Sequence, residues 1–364
     1  MFFMKNFVFR TLLLAGVILG LIFSVVMAEE AKPLQDKFDT IVSPVMDARI
    51  VKGQNLVYCV TFQLAWNELC GRILKGEAKL ADMPALAVAL NKNIKAAVPP
   101  VLTGSNHIVM SGMGKDKIVE KINDRISFSF HGMLEPVNQT VGDEDVYIYA
   151  ALIRNFSFVT EYDDILPERR LKFINSFVKF FGLSEFQDRP GKMAELKKQT
   201  QILKYDEKTG EFILRMKSDP LGDELVLACV KPSDTLKKTY DRVALTASRA
   251  KTEKLEEGDS LAIPEIEFNI KESFDSLAGK RLQNKGFSTY SIGGAIQAVS
   301  FHLDKTGAKL KSKAEILAYA NGKSHKYRQL IFNKPFMIYM KESKAKAPYF
   351  IMWVENSRLM KVYE

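Results

Sequence analysis

Cysteine and histidine are scarce in this chain: three and four residues out of 364. An odd number of cysteines leaves at least one thiol unpaired. If the run from Thr61 is helical, Cys59 and Cys70 lie too far apart along its axis to bridge. No structural disulfide is expected, and Cys59, Cys70 and Cys229 have no metal-ligand spacing. His107, His131, His302 and His325 fit no HExxH or related metal pattern. There is no G-x-S-x-G elbow to hold a serine nucleophile. Ser111-Gly112-Met113-Gly114-Lys115-Asp116 lacks the first glycine and the Ser or Thr of a phosphate loop, and reads as a turn into a helix. Asp163-Asp164 precede a proline and an expected helix, where acids favour the positive helix end. Repeats, low-complexity tracts and Pro/Gly/Ser linkers are absent. These absences argue against a metalloenzyme, a serine hydrolase and a nucleotide-binding fold. They give no positive case for an enzyme, a metal or a cofactor.

One long apolar run is present, at the N-terminus. Lys5 and Arg10 precede Thr11–Val26, and Val26-Met27-Ala28 then offers small or tolerated residues at a cleavage site. That is the pattern of a secretory signal peptide over residues 1–28. The run is short for a membrane span, although an uncleaved anchor is the alternative. No cysteine sits at the cleavage point to take a bacterial lipid. The expected protein is therefore exported, extracellular or periplasmic, and off the membrane once cleaved. Net charge is +9, but Lys and Arg are interleaved with Asp and Glu. Such dispersion reads as a solvated surface rather than a nucleic-acid site. With 47% hydrophobic residues, 29–364 is read as one mixed α+β domain with a sizeable core.

Periodicity places helices early and strands late. Thr61–Leu80, Pro84–Ala97 and Lys115–Arg125 read as helices, and Pro167–Leu183 carries an amphipathic stripe through Leu171, Ile174, Phe177, Val178 and Phe181. Val146–Ile153 is continuously apolar, as a strand buried on both faces requires. Ile202–Tyr205 and Phe212–Met216 flank a Gly-containing hairpin loop, and Glu224–Val230 is a further strand. Ser233–Ala250 reads as a helix capped by Ser233, and Ser273–Asn284 as a short one. In Ile263–Ile270, Ile266, Phe268 and Ile270 alternate against Glu265, Glu267 and Asn269, which predicts a strand with the acids facing out. Ala295–Asp304 is a strand. Phe336–Met340 and Tyr349–Val354 form a terminal hairpin.

The C-terminal third resembles the serpin family. Phe332-Asn333-Lys334-Pro335-Phe336 matches the segment after the serpin reactive loop, and Met337–Met340 with Tyr349–Val354 match its last two strands. Ala295-Ile296-Gln297-Ala298-Val299-Ser300-Phe301-His302-Leu303-Asp304-Lys305-Thr306-Gly307 is similar to the strand and hinge before that loop. Ile263–Phe268, Val146–Tyr162 and Asn55–Tyr58 extend the resemblance in order over the mature chain. It is that of a divergent, exported, bacterial serpin-like protein. The resemblance implies a monomeric mixed α+β domain with a large mixed sheet, smaller antiparallel sheets, helices in the N-terminal half and an exposed loop over 307–331. It also implies a target protease as partner, inhibited by loop cleavage and insertion. Several family positions differ. Cys59-Val60 replaces Ser-Pro, Phe62 replaces a Ser, Gln297 a His, Phe158 a Trp, and Lys305 an acid. The first four exchanges suggest that a polar cluster under the sheet gives way to apolar groups, while Lys305 belongs to the hinge.

An inserting loop must alternate with period two. Ala308, Leu310, Ser312, Ala314 and Ile316 fall on one face; Lys309, Lys311, Lys313 and Glu315 fall on the other. In the hinge Gly307, Ala308, Lys309, Leu310, Lys311 and Ser312, the family pattern is small residues, so these lysines weigh against efficient inhibition. A non-inhibitory binding or envelope protein of the same fold is the alternative, and a half-buried edge strand with guardian lysines fits the alternation equally. The scissile bond is left open among Asn321, Gly322, Lys323 and Ser324, with Lys326 and Arg328 as further candidates. Lys323 suits a trypsin-like pocket, and Asn321 an asparagine-directed protease.

Overall fold

An apolar run without alternation needs cover on both faces, and Val146–Ile153 has it: every residue is 5% exposed or less. The computed structural model describes residues 39–94, 107–130, 132–155, 157–183, 190–217, 222–256, 258–307 and 327–363. The signal-peptide reading over 1–28 lies outside them, as do Ala308–Ser312, Asn321–Ser324 and Lys326.

The early strands are β1 (Thr40–Ser43), β2 (Asn55–Cys59), β3 (His107–Met113) and β4 (Asp145–Asn155). Then come β5 (Asp163–Ile165), β6 (Lys172–Phe173), β7 (Ser176–Phe177), β8 (Phe180–Leu183), β9 (Thr200–Asp206), β10 (Glu211–Lys217) and β11 (Asp223–Cys229). The last are β12 (Glu253–Lys254), β13 (Ser260–Pro264), β14 (Ile266–Ser273), β15 (Ser291–Leu303), β16 (Gln329–Ile331), β17 (Phe336–Glu342) and β18 (Phe350–Val354). The α-helices among the described residues are α1 (Thr61–Glu68), α2 (Ala85–Lys92), α3 (Ile118–Phe130), α4 (Pro190–Gln199) and α5 (Leu236–Arg249).

The strands form an eight-stranded sheet, β1-β2-β18-β17-β11-β10-β9-β12, and two four-stranded sheets, β14-β15-β4-β3 and β16-β13-β8-β5. Strands β6 and β7 pair by themselves. Both four-stranded sheets are mixed: β15 runs parallel to β4, and β13 parallel to β16. Val146, Ile148 and Ala150 pack with Phe62, Ala65 and Trp66 of α1. Tyr147, Tyr149, Ala151 and Ile153 pack with Ile118, Ile122, Ile126 and Phe130 of α3. Strand β4 is thus enclosed between two helices, and Phe38–Glu364 makes one compact mixed α+β unit.

Several local expectations change. The Thr61–Leu80 helix stops sooner, with α1 passing into a π-helical turn, Leu69–Ile73. The third helix starts later than Lys115, after a 3-10 turn over Gly114–Asp116, and runs to Phe130. Pro167–Leu183 is not a helix. After a 3-10 turn at Pro167–Arg169 it forms β6, β7 and β8, because β8 is paired by both β5 and β13, and such pairing overrides a coincidental 3.6-residue stripe. Ser273–Asn284 is also not a helix. Key N–H groups are taken by the returning chain instead of by a helical ladder, Phe274 by the Ala295 carbonyl and Leu282 by that of Tyr290. Helix α5 is capped by Thr235, whose Oγ1 accepts from the Lys238 N–H, rather than by Ser233. Ile263–Ile270 is two strands in two sheets, β13 and β14, with Glu265 between them.

Candidate functional site

The four-stranded sheet has a parallel seam at its centre. Strands β4 and β15 are paired from Asp145↔Ser291 to Asn155↔His302, with one irregularity between Ile292 and Gly294. At that irregularity the buried Tyr147 ring lies so close that a Cβ on Gly294 would meet Cε2 at 2.3 Å, so only glycine fits.

A polar clamp sits beneath the seam. Gln297 is fully buried on β15, and its Nε2 donates to the Cys59 carbonyl and to Thr61 Oγ1, both at 3.0 Å. Cys59 Sγ is 3.2 Å from the same hydroxyl. The expectation of an apolar replacement is therefore corrected. A polar connection remains between β15 and the start of α1, built from different residue types. Phe62 adds an edge-on contact to Phe274 at 4.4 Å.

At its C-terminal end β15 passes into a tight turn. Asp304 and Gly307 exchange backbone hydrogen bonds of 2.9 and 3.0 Å, and Gly307 takes a φ of +91°. Asp304 Oδ1 accepts from the Thr306 N–H and hydroxyl. Its other oxygen is 2.9 Å from His302 Nε2, while His302 Nδ1 lies 3.5 Å from Glu267. The hydrogen bond to Asp304 raises the His302 pKa against the opposing effect of burial. Burial pushes Asp304 up, but His302 and Thr306 outweigh it and hold the carboxyl below its usual value. Lys305 pairs with Asp164 across the turn. The Phe158 and Tyr162 N–H groups bind the Thr306 and Lys305 carbonyls, and their rings meet edge-on at 4.8 Å. Asp163 and Asp164 therefore do not cap a helix. They stand on β5, with Asp163 paired to Lys192.

The far side of the 308–326 stretch is held by Arg328. Its guanidinium binds Asp259 at 2.8 Å and Glu253 at 2.6 Å and donates to the Lys254 carbonyl. Its backbone N–H binds Asp259 as well, and its carbonyl accepts from Ser260. Asp259 is 1% exposed. Arg328 is therefore not an accessible scissile residue, a correction the sequence could not reveal because its charge partners lie 69 or more residues away. Of the predicted hinge, Gly307 is placed at the turn, while Ala308, Lys309, Leu310, Lys311 and Ser312 lie outside the described residues, as do Asn321, Gly322, Lys323 and Ser324. The two feet thus belong to different sheets: Gly307 follows β15, and Arg328 precedes β16.

No known family profile matches this chain, and no curated protein matches it in sequence. Solved structures do. The native state of the thermophilic serpin tengpin superposes over 89% of this chain and 98% of its own, with a TM-score of 0.53 at 10% identity. Thyroxine-binding globulin in complex with thyroxine does so over 83% and 92%, with a TM-score of 0.50 at 9% identity. At such identities the likeness is one of fold, and the fold is that of the serpins.

Proposed function

We propose that this serpin-fold chain is an exported protease inhibitor of the loop-inserting kind, with 308–326 as bait. The parallel seam between β4 and β15 carries the reading. A segment that leaves β15 through the turn at Gly307 and folds back must run antiparallel to β15. Since β4 is parallel to β15, the same segment is antiparallel to β4. Insertion would exchange one parallel interface for two antiparallel ones, the more stable pairing per residue. The uncut chain resists this, because β16 is held in another sheet and Arg328 is clamped to Asp259. Cleavage between the two feet frees the first without disturbing the second. A protease caught before it completes hydrolysis is then carried with the inserting strand. Lys323 makes a trypsin-like enzyme the first candidate, and Asn321 an asparagine-directed one.

The test is limited trypsin cleavage at Lys323, with melting measured before and after. Insertion is expected to raise the melting temperature of the nicked protein by tens of degrees and to leave a denaturant-resistant complex with the protease. An unchanged melting temperature removes the proposal. The lysines Lys309, Lys311 and Lys313 support a second reading, a non-inhibitory binding protein on the same fold. It expects cleavage without a covalent complex. The fold alone chooses neither activity.

A further inference from the structure

Glu265 is the residue that sequence alternation turns outward and the structure turns inward. It stands where the chain leaves β13 for β14. Its N–H donates to the Lys179 carbonyl at 2.8 Å and its own carbonyl accepts from the Lys361 N–H at 3.0 Å. These two backbone bonds fix the residue from both sides, at 9% exposure. Among the described residues, no hydrogen bond or ion pair engages its carboxylate. The nearby Lys361 ammonium is instead spent on Glu267, at 2.9 Å. The residue is mostly buried, and its carboxylate opens on a cleft instead of on a partner within the protein.

That cleft has a volume of about 300 Å³ and is lined by Glu265, Asp164, Lys179, Tyr363, Leu166 and Phe180 among others. The Tyr363 hydroxyl donates its proton to the Ile165 carbonyl at 3.0 Å, so towards any further partner its oxygen can only accept. Asp164 is already paired with Lys305, so Glu265 is the lining carboxylate left open among the described residues, beside Lys179 and the phenol oxygen. Leu166, 63% exposed, and Phe180 supply apolar walls. No group of three or more His, Cys, Asp or Glu that could hold a metal ion occurs among the described residues, so a metal ion would lack donors here. We propose that this cleft binds a small organic cation, a primary amine or guanidinium on a short hydrocarbon stem, with Glu265 as its charge partner, Tyr363 as a hydrogen-bond acceptor and Leu166 and Phe180 around the stem. Burial, the leading cause, raises the Glu265 pKa, and Asp304 and Asp164 add to it against Lys361 and Lys179. A bound cation relieves that unfavourable charge. The site is independent of whether the loop inhibits anything.

Calorimetric titration of the full chain with agmatine and with n-butylamine tests it. Saturable one-to-one binding is expected, weakened about tenfold or more by Glu265→Gln. The isosteric change removes only an unpartnered charge, so melting should be preserved. Leu166→Arg, which supplies a guanidinium from the chain itself, should abolish binding by occupying the cleft. Absence of saturable binding at millimolar amine in the unaltered protein overturns the proposal whatever the variants do. Equal affinity in a folded Glu265→Gln protein overturns it too.

Discussion

Arg328 shows how much one side chain is asked to hold. Its partner Asp259 is almost fully buried and accepts from Nε, Nη2 and the backbone N–H of Arg328, while Nη1 goes to Glu253. Removing one member of such a pair strands the other charge in a low-dielectric site. Arg328→Ala is expected to cost about 3 kcal/mol, read as a lower urea midpoint at unchanged slope. His302 is a second residue-scale case, with its sign set by the fold. Its folded pKa is raised from the ordinary 6.5. Its contribution is therefore full below 6.5 and fades as pH rises through the folded value. Asp304, lowered from 3.8, contributes above that value and loses its contribution as pH falls through its folded one. The turn at Gly307 should thus be held best between 3.8 and 6.5. Ring-proton titration should place the His302 pKa above 6.5, and His302→Gln should flatten the decline of stability from mildly acidic to mildly alkaline buffer. Neither the Arg328 clamp nor the burial of Glu265 was legible in the chain. Both depend on partners brought together by sheet order, whereas local pattern reports only on neighbours one or two turns away.

Elements whose pattern coincides with their packing were legible, and the rest were not. The apolar run of β4, the hairpin β9–β10 and the terminal pair β17–β18 appear as read, because alternation or its absence follows directly from cover on one face or two. Pro167–Leu183 misled because Phe177, Val178 and Phe181 suit a strand as well as a helical stripe, and only the neighbouring β5 and β13 decide between them. The polar clamp was half legible. Gln297 could be singled out by position, but its bond to Thr61 could not. The seam also sharpens the meaning of the lysines. Ser300 and His302 on β15 are partly exposed, while Val299, Phe301 and Leu303 are buried. An inserted strand would find room for Lys309, Lys311 and Lys313 only on the more open face, and each ammonium there must snorkel to solvent. Replacing all three by alanine removes that demand and lowers repulsion along one edge. The triple variant is expected to insert faster after cleavage and to form more covalent complex per cleaved chain, measured by denaturing gel against the parent. An unchanged partition between complex and cleaved free chain would show that the lysines do not limit insertion.

The whole molecule carries its own reporter of opening. Cys59, Cys70 and Cys229 are all buried and unpaired. Burial raises each thiol to about 11, so little thiolate exists at neutral pH. Under the proposed export, three thiols kept without a disulfide must be hidden from oxidants by the fold. Native protein should therefore react negligibly with an aromatic disulfide reagent, and all three thiols should react once it is unfolded in urea. Cys59 adds more, because it lies at the polar clamp under the β4–β15 seam. If the seam opens locally, Cys59 should label faster than Cys229, which belongs to β11 in the eight-stranded sheet. If the molecule opens only by global unfolding, all three should label at one common rate. Mass spectrometry of peptides after brief labelling separates the two outcomes. The Gln297→Leu variant, which removes the clamp donor, should raise the Cys59 rate selectively if the first holds. A seam that opens ahead of the rest of the molecule is what a loop-inserting inhibitor requires, and one that does not would favour a static binding role for the same fold.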